Sequence, residues 1–127
     1  MNRTIVQTSE APKPVGPYSQ AVTVSGPLVF TAGQIALDPV TGEMAQGGIE
    51  AETRQIIRNL EAVLRAAGSG FDRIVKATVF LTDMDDFAAF NAVWAEHIPT
   101  DPPARSVVET SKLPKQARIE IECVALC

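Results

Sequence analysis

Hydrophobic positions along the chain switch between helical and strand-like spacing, which predicts a fold with both helices and strands. One stretch repeats apolar residues every three to four positions and ends before Gly68, as an amphipathic helix does. The segment 73–82 (RIVKATVFLT) instead places successive residues on two opposite faces, as a strand does. The predicted elements in chain order are strands at 20–24 and 28–31, a helix at 49–67, a strand at 73–82, a helix at about 86–97, and strands at 105–110 and 117–126.

The junctions between these elements support that order. Ser25-Gly26-Pro27 has the composition of a hairpin turn between the first two strands, and 38–42 (DPVTG) is typical of a further turn. Asp83 or Asp85 is expected to cap the second helix, and the prolines after His97 exclude helix from the next segment. The resulting β-β-α-β-α-β-β order predicts an α+β sandwich with two helices on one face of the sheet.

The sheet face away from the predicted helices is mixed in polarity. In the last strand, Glu120 and Glu122 share one face while Ile119 and Ile121 share the other. A face that is neither fully polar nor fully apolar is either solvated or covered by a second copy of the chain. We interpret it as the contact face of a symmetric oligomer.

The chain has 127 residues, of which 46% are hydrophobic and 20% are charged, and this composition is typical of a globular protein. We expect one domain spanning 1–127 with a single core. The 11 Lys and Arg against 15 Asp and Glu give a net charge of −4, so no nucleic-acid partner is expected. The uncharged stretch 14–37 is interrupted by prolines and glycines, and no apolar leader precedes it, so neither a membrane helix nor a signal peptide is predicted.

The histidine and cysteine content bears on the kinds of catalytic and metal sites and on the cellular compartment. With His97 as its single histidine, the chain is a poor match for a serine–histidine–aspartate triad or a zinc site. Cys123 and Cys127 lie in one predicted strand with about 13 Å between their Cα atoms, which is too far for a disulfide. Free thiols are typical of a reducing compartment, so we expect a cytoplasmic protein.

Arginine and asparagine side chains provide the first candidates for a binding site. Arg105 follows two prolines at the start of a strand, and a guanidinium held there can bind a carboxylate through two parallel hydrogen bonds. The alternative is a structural ion pair with Glu109 or Glu120. Asn91 lies on the apolar helix stripe that contains Phe87, where its amide either binds a ligand or ties the helix to neighbouring backbone.

A tyrosine and two glutamates complete the set of candidates. Tyr18 lies in a Gly-Pro corner, where its phenol can donate to a ligand or cap the turn. Strand alternation does not distinguish Glu120 from Glu122, because both lie on the same face. The residue chemistry alone therefore predicts a small oligomeric α+β domain that binds a small anion.

A series of segments then occurs in a fixed order along essentially the whole chain. They are AP-x-x-x-GPYSQAV, TAGQIALDPVTGE, RQIIRNLEAVLRAAG, VKATVFLTDMDDFAAFN, PPARSVVE and LPK-x-x-x-IEIE. Together they resemble the Rid family of reactive-intermediate deaminases. The most specific part of the resemblance is P-x-A-R-x-x-V-E followed by the IEIE strand.

The resemblance implies an assembly and an activity. The assembly is a homotrimer of chorismate-mutase-like subunits with clefts between neighbouring subunits. The activity is hydrolysis of reactive 2-imino or enamine acids, such as 2-iminopropanoate and 2-iminobutanoate, to 2-keto acids and ammonia. The implied partner is thus a small imino-acid substrate, with no cofactor, no metal, no nucleic acid and no membrane.

The resemblance also implies roles for individual residues. Arg105 matches the arginine that binds the substrate carboxylate, and Glu120 matches the acid that orients the attacking water. The substrate-binding positions implied by the same match are Tyr18, Gly33, Asn91, Ser106 and Val107. The family commonly has a cysteine where this chain has Val107, so thiol-dependent behaviour is not expected here, although backbone contacts from this position can still hold the substrate.

Other functions remain as alternatives. One is a non-enzymatic trimer that binds proteins or acts as a chaperone, and another is a ribonuclease, as some relatives were described. A third is a Rid-type deaminase of another substrate, such as a 2-aminomuconate. The negative net charge argues against RNA as a substrate, and the presence of both Arg105 and Glu120 favours an enzyme.

Overall fold

A computed structural model describes residues 2–98 and 100–127 and places two helices on one face of a mixed sheet. The helices and strands in chain order are β1 (Arg3–Val6), β2 (Ala21–Val24), β3 (Leu28–Phe30), α1 (Gly48–Ala66), β4 (Ile74–Leu81), α2 (Phe87–His97), β5 (Ala104–Glu109) and β6 (Ile119–Leu126). One sheet has the strand order β3-β6-β4-β5, with β5 parallel to β4 and the other pairs antiparallel. The predicted α+β class is confirmed.

The two helices begin and end within about two residues of the predicted positions, and so do the strands after them. This agreement reflects local periodicity, which the sequence displays directly. The predicted cap is confirmed only for a single helical turn, 84–86, that leads into α2: the Asp83 side chain accepts a hydrogen bond from the Asp85 N–H at 2.9 Å. Helix α2 itself begins after Asp86, whose side chain makes no capping hydrogen bond.

The amino-terminal part differs from the prediction. The predicted hairpin between β2 and β3 is wrong, because β2 pairs with β1 while β3 pairs with β6. Gly26, at a φ of 121°, turns the chain from one sheet to the other. Strand β1 was not predicted, since contacts remote in sequence hold it: Arg3 donates from Nε to the Ile74 carbonyl at 3.0 Å and from Nη2 to the Asp101 carbonyl at 2.8 Å.

The core lies between the helices and one face of the four-stranded sheet. Its largest helix residues are Ile56, Ile57, Leu60 and Leu64 from α1 and Phe90, Val93 and Trp94 from α2. Val63 follows the same apolar spacing, but it is 39% exposed and lies outside this core.

The sheet face away from the helices, called the open face below, is mixed in polarity as predicted. Alternation in β4 and β6 sends every second residue to this face. It carries Phe30, which is 71% exposed, and Val108, which is 43% exposed, together with Lys76 and Glu122. Helices α1 and α2 therefore cover only one side of the sheet.

An ion pair between a buried carboxylate and a half-exposed arginine joins α1 to the start of β6. Glu52 on α1 is 2% exposed, and its carboxylate accepts hydrogen bonds from the Arg118 backbone N–H at 3.0 Å and from Arg118 Nη1 at 3.1 Å. Because Arg118 immediately precedes β6, this contact fixes where the strand that carries Glu120 begins.

We expect Glu52→Ala to lower the free energy of unfolding by about 2–3 kcal/mol, because it removes a buried carboxylate that accepts hydrogen bonds from both the backbone N–H and the guanidinium of Arg118. Urea denaturation measures the change. The matched control is Glu61→Ala on the same helix, which removes an exposed ion pair with Arg65 and should cost about 0.5 kcal/mol or less. Equal losses from both variants would contradict a structural role for Glu52.

Candidate functional site

The guanidinium of Arg105 lies in an aromatic pocket on the helix side of the sheet. Its Cζ is 5.4 Å from the ring centre of Phe90, 5.8 Å from that of Phe87 and 5.6 Å from that of Tyr18. Arg105 pairs in register with Ala77 of β4, whose side chain is buried beneath the helices. Three rings therefore hold the cation through cation–π contacts.

No acidic side chain within the described ranges forms an ion pair with this cation. Arg105 Nη1 is buried and has no hydrogen-bond partner in these ranges. The alternative of a structural ion pair with Glu109 or Glu120 is therefore wrong: Glu109 accepts from the Met84 N–H at 2.8 Å, and Glu120 pairs in register with Phe80 on the opposite face of the sheet. Burial lowers the pKa of Arg105 to about 10, with Tyr18 acting in the opposite direction, so the group stays cationic at pH 7. A desolvated cation with a free donor favours binding of an anion, and a carboxylate matches the guanidinium fork.

Tyr18 and Asn91 border the same pocket. A carbon placed as a Cβ on Gly16 would lie 3.5 Å from Asn91 Nδ2 and 3.7 Å from the Tyr18 ring. Among the described residues, Asn91 Oδ1 is buried without a hydrogen-bond partner, so it does not tie the helix to neighbouring backbone. The Tyr18 phenol accepts from the Val15 N–H at 3.3 Å and thus caps its turn, which leaves the hydroxyl proton available to a ligand.

Backbone contacts hold the Tyr18 loop against the strand that carries Arg105. The Ser19 N–H donates to the Pro103 carbonyl at 3.0 Å, and Ser19 Oγ donates to the Pro102 carbonyl at 2.5 Å. These contacts bring two segments that are remote in sequence to the two sides of one pocket.

Gly33 and Glu120 lie together on the open face. Glu120 pairs in register with Phe80, whose neighbours Val79 and Leu81 face the core, so the Glu120 side chain points away from the helices. A Cβ on Gly33 would overlap the Glu120 carboxyl group, at 2.7 Å from Cδ. The carboxylate therefore packs directly on glycine backbone, and this close approach is what requires the glycine.

Strand register divides the predicted site residues into two clusters. The arginine cluster, on the helix side, contains Arg105, Tyr18, Asn91 and the half-buried Val107. The glutamate cluster, on the open face, contains Glu120 and Gly33 together with the exposed Ser106, whose Oγ accepts from Lys76 Nζ at 3.2 Å. One chain does not bring the two clusters together.

Two residues of the arginine pocket were missed by sequence reasoning. Phe87 and Phe90 were interpreted as part of a core-facing stripe, yet their rings also cover the Arg105 guanidinium. Their helical spacing from Asn91 indicated a shared face. Nothing local indicated that Arg105 packs on that face.

Neither cysteine belongs to these clusters. Both are free, Cys123 is buried and Cys127 is exposed, which confirms the prediction that they do not pair. Burial raises the pKa of the Cys123 thiol. Within 2–98 and 100–127, no group of His, Cys, Asp and Glu side chains has the arrangement of a metal site. No helix in these ranges has the length and apolar character needed to cross a membrane.

Comparisons with known proteins place residues 8–127 in a family described as Endoribonuclease L-PSP. A RutC family protein of Synechocystis is 51% identical over 99% of this chain and 98% of its own length. Human 2-iminobutanoate/2-iminopropanoate deaminase is 40% identical over 98% of this chain and 90% of its own length. Among solved structures, the Rid family protein YyfB of Yersinia pestis matches all of both chains with a TM-score of 0.89 at 30% identity. The TdcF protein of E. coli, with bound serine, matches 98% of both chains with a TM-score of 0.74 at 38% identity.

Proposed function

Because this chain belongs to the endoribonuclease L-PSP family, the family of the Rid proteins, we propose that it hydrolyses reactive 2-imino acids to 2-keto acids and ammonia. The observation that carries the proposal is the half-buried Arg105 cation, which has aromatic walls, a buried Nη1 atom and no acidic partner in the described ranges. Such a group binds an α-carboxylate, which every 2-imino acid carries. The human relative is named for this reaction, and the E. coli relative binds serine, which also has an α-carboxylate. We propose that 1–127 act as a single deaminase domain without a cofactor.

The chemistry requires a water molecule and a group that takes its proton. In our proposal Arg105 holds the carboxylate, and the Glu120 carboxylate takes a proton from water as the oxygen attacks the trigonal C=N carbon. Glu120 gives this proton to the nitrogen, so the tetrahedral intermediate carries a hydroxyl group and an amino group on one carbon. Glu120 then takes the hydroxyl proton and delivers it to the amino group as the C–N bond breaks, so that ammonia leaves and the oxygen becomes the carbonyl of the 2-keto acid.

The two clusters must act on one substrate, so we propose that each site forms between two copies of the chain. The arginine cluster of one subunit meets the glutamate cluster of its neighbour in a homotrimer. The exposed apolar side chains of Phe30 and Val108 on the open face support burial against another copy. The predicted mass is about three times 13.6 kDa.

Mixed trimers test the shared site. When Arg105→Ala and Glu120→Gln chains are co-refolded in equal amounts, about one quarter of the sites combine an intact Arg105 with an intact Glu120. We therefore expect the mixture to recover about a quarter of wild-type activity from two inactive parents. Sedimentation confirms that the mixed species are trimers. A mixture as inactive as its parents would show that both residues act within one subunit.

Imine hydrolysis itself is tested by a coupled assay. Threonine dehydratase releases 2-iminobutanoate, and semicarbazide traps the imine that is not hydrolysed. Adding this protein is expected to lower semicarbazone formation and raise free 2-ketobutanoate in proportion to its concentration. If semicarbazone formation does not change at any protein concentration, the proposed function is wrong.

Gly33→Ala is expected to lower kcat about 10- to 100-fold, because the added methyl group displaces the Glu120 carboxylate. The displaced atoms are the end of a flexible side chain, so the free energy of unfolding should change by less than about 1 kcal/mol. Steady-state kinetics and urea denaturation measure the two effects.

Gly70→Ala is the matched control for this variant. Its Cβ would lie 2.9 Å from the Asp72 carboxylate, a milder overlap with a flexible acidic side chain outside both clusters. Activity should therefore stay within about twofold of wild type. A similar loss of kcat in both glycine variants would contradict a specific role for the Gly33–Glu120 contact.

A further inference from the structure

Two buried polar atoms of opposite kinds are unpartnered beside the aromatic rings around Arg105. Within the part of the chain that the structure describes, Arg105 Nη1 is a donor without an acceptor and Asn91 Oδ1 is an acceptor without a donor. Buried polar atoms in folded proteins nearly always have a partner. Two such unpaired atoms in the arginine cluster, on residues that both neighbour Tyr18, indicate that a ligand completes their hydrogen bonds.

Helix geometry places Asn91 on the face of α2 whose Phe87 ring contacts the Arg105 guanidinium. Asn91 follows Phe87 by four residues in α2 and therefore lies on the same helix face. The Phe87 ring centre is 5.8 Å from Arg105 Cζ, and the Tyr18 ring centre is 5.6 Å from it. A Cβ on Gly16 would lie 3.5 Å from Asn91 Nδ2 and 3.7 Å from the Tyr18 ring, so Asn91 lies close to Tyr18. Asn91 and Arg105 therefore share Tyr18 as a neighbour.

A ligand that satisfies both atoms carries an acceptor and a donor on adjacent carbons. A carboxylate accepts from the Arg105 guanidinium, and an N–H on the neighbouring carbon can donate to Asn91 Oδ1. A 2-imino acid has both groups. A 2-keto acid has a carbonyl oxygen in place of the nitrogen. This oxygen is an acceptor, as Asn91 Oδ1 is, so no hydrogen bond forms between them.

We propose that Asn91 Oδ1 accepts a hydrogen bond from the imine N–H of the substrate and so makes the pocket selective for the imino acid over its keto-acid product. The inference rests on the proposed function and identifies the substrate group that this pocket recognises. Once the nitrogen has left, Asn91 Oδ1 is again an unpaired buried acceptor. Loss of this hydrogen bond weakens product binding and favours release.

Equilibrium binding to the intact oligomer tests the inference with unreactive ligands. The probes are 2-aminobutanoate and 2-ketobutanoate, which share a carbon skeleton and a carboxylate and differ in the group on carbon 2. Asn91→Leu is expected to weaken binding of 2-aminobutanoate about tenfold or more, and that of 2-ketobutanoate less than about threefold. Asn91→Ala removes the same acceptor without an added branch, so it gives the same comparison if the leucine variant does not fold.

Arg105→Lys is the matched control, because it alters the carboxylate contact that both ligands make. It should weaken both ligands by a similar factor and leave the ratio of their dissociation constants within about twofold of the wild-type ratio. If Asn91→Leu and Asn91→Ala also leave that ratio unchanged, Asn91 has only a structural role and the inference is overturned.

Kinetics provide a second measurement on the same variants. Asn91→Leu should raise KM for 2-iminobutanoate about tenfold, while the inhibition constant of 2-ketobutanoate stays within about threefold. Absence of imine hydrolysis in the wild type would overturn the proposed function, and the binding ratios would still decide the role of Asn91. Normal hydrolysis with an unchanged ratio in the variants would overturn the role of Asn91 alone.

Discussion

Arg105→Ala is expected to lower kcat/KM for 2-iminobutanoate hydrolysis about a hundredfold or more. The variant loses two charge-assisted hydrogen bonds to the carboxylate, which together contribute roughly 3 kcal/mol. It also leaves a cavity among Tyr18, Phe87 and Phe90, whose rings surround the guanidinium. Steady-state kinetics of the coupled assay measure the loss.

Arg105→Lys separates the shape of the group from its charge. A lysine ammonium keeps the charge but lacks the planar fork, so it should recover less than about a tenth of wild-type kcat/KM. The control for removal of a cation is Arg65→Ala, which lies on α1 in an exposed pair with Glu61 and should stay within about twofold of wild type. Near-normal hydrolysis by a folded Arg105→Ala protein would show that the carboxylate binds elsewhere.

Glu120→Gln is expected to lower kcat about 10²- to 10⁴-fold, because an amide cannot take the proton from the attacking water. KM should change by less than about threefold, since the carboxylate of the substrate is held by Arg105 on the other cluster. The glutamine has nearly the same size, so packing against Gly33 is retained. The split between kcat and KM distinguishes a chemical role from a loss of binding.

Glu122→Gln provides the control from the same face of the same strand. Glu122 is exposed and pairs in register with Thr78, two residues from the Glu120 position. Its change should leave kcat within about threefold of wild type, because it does not pack on Gly33. If Glu122→Gln lost activity and Glu120→Gln kept it, the assignment of the proton acceptor would be reversed.

Periodicity along the chain predicted the kinds of elements and their order from α1 onward. Apolar residues such as Ile56, Leu60 and Leu64 recur at helical spacing, and β4 alternates between two faces, so the periodicity of each element is a local property. The mixed polarity of the open face was also visible, because Glu120 and Glu122 share one face of the last strand with Val124. The pairing of β2 with β1 was not visible, since it depends on contacts such as that between Arg3 and Ile74.

Residue chemistry indicated an anion site at Arg105, and the family resemblance supplied the match for Glu120. Strand alternation did not distinguish Glu120 from Glu122, and the physical difference between them, the contact of Glu120 with Gly33 from a remote segment, is visible only in the folded chain. The packing of the Phe87 and Phe90 rings on Arg105 is likewise visible only in the folded chain, because α2 and β5 are brought together by the tertiary structure.

The placement of Arg105 and Glu120 on opposite faces of the sheet could not be predicted from the sequence. Alternation along β5 or β6 gives each strand two faces but does not say which face of one strand continues which face of another. That relation is set by register, here by the pairing of Ala77 with Arg105 and of Phe80 with Glu120 on the shared neighbour β4. Register results from long-range packing of the whole sheet against the helices, so it exists only in the folded chain.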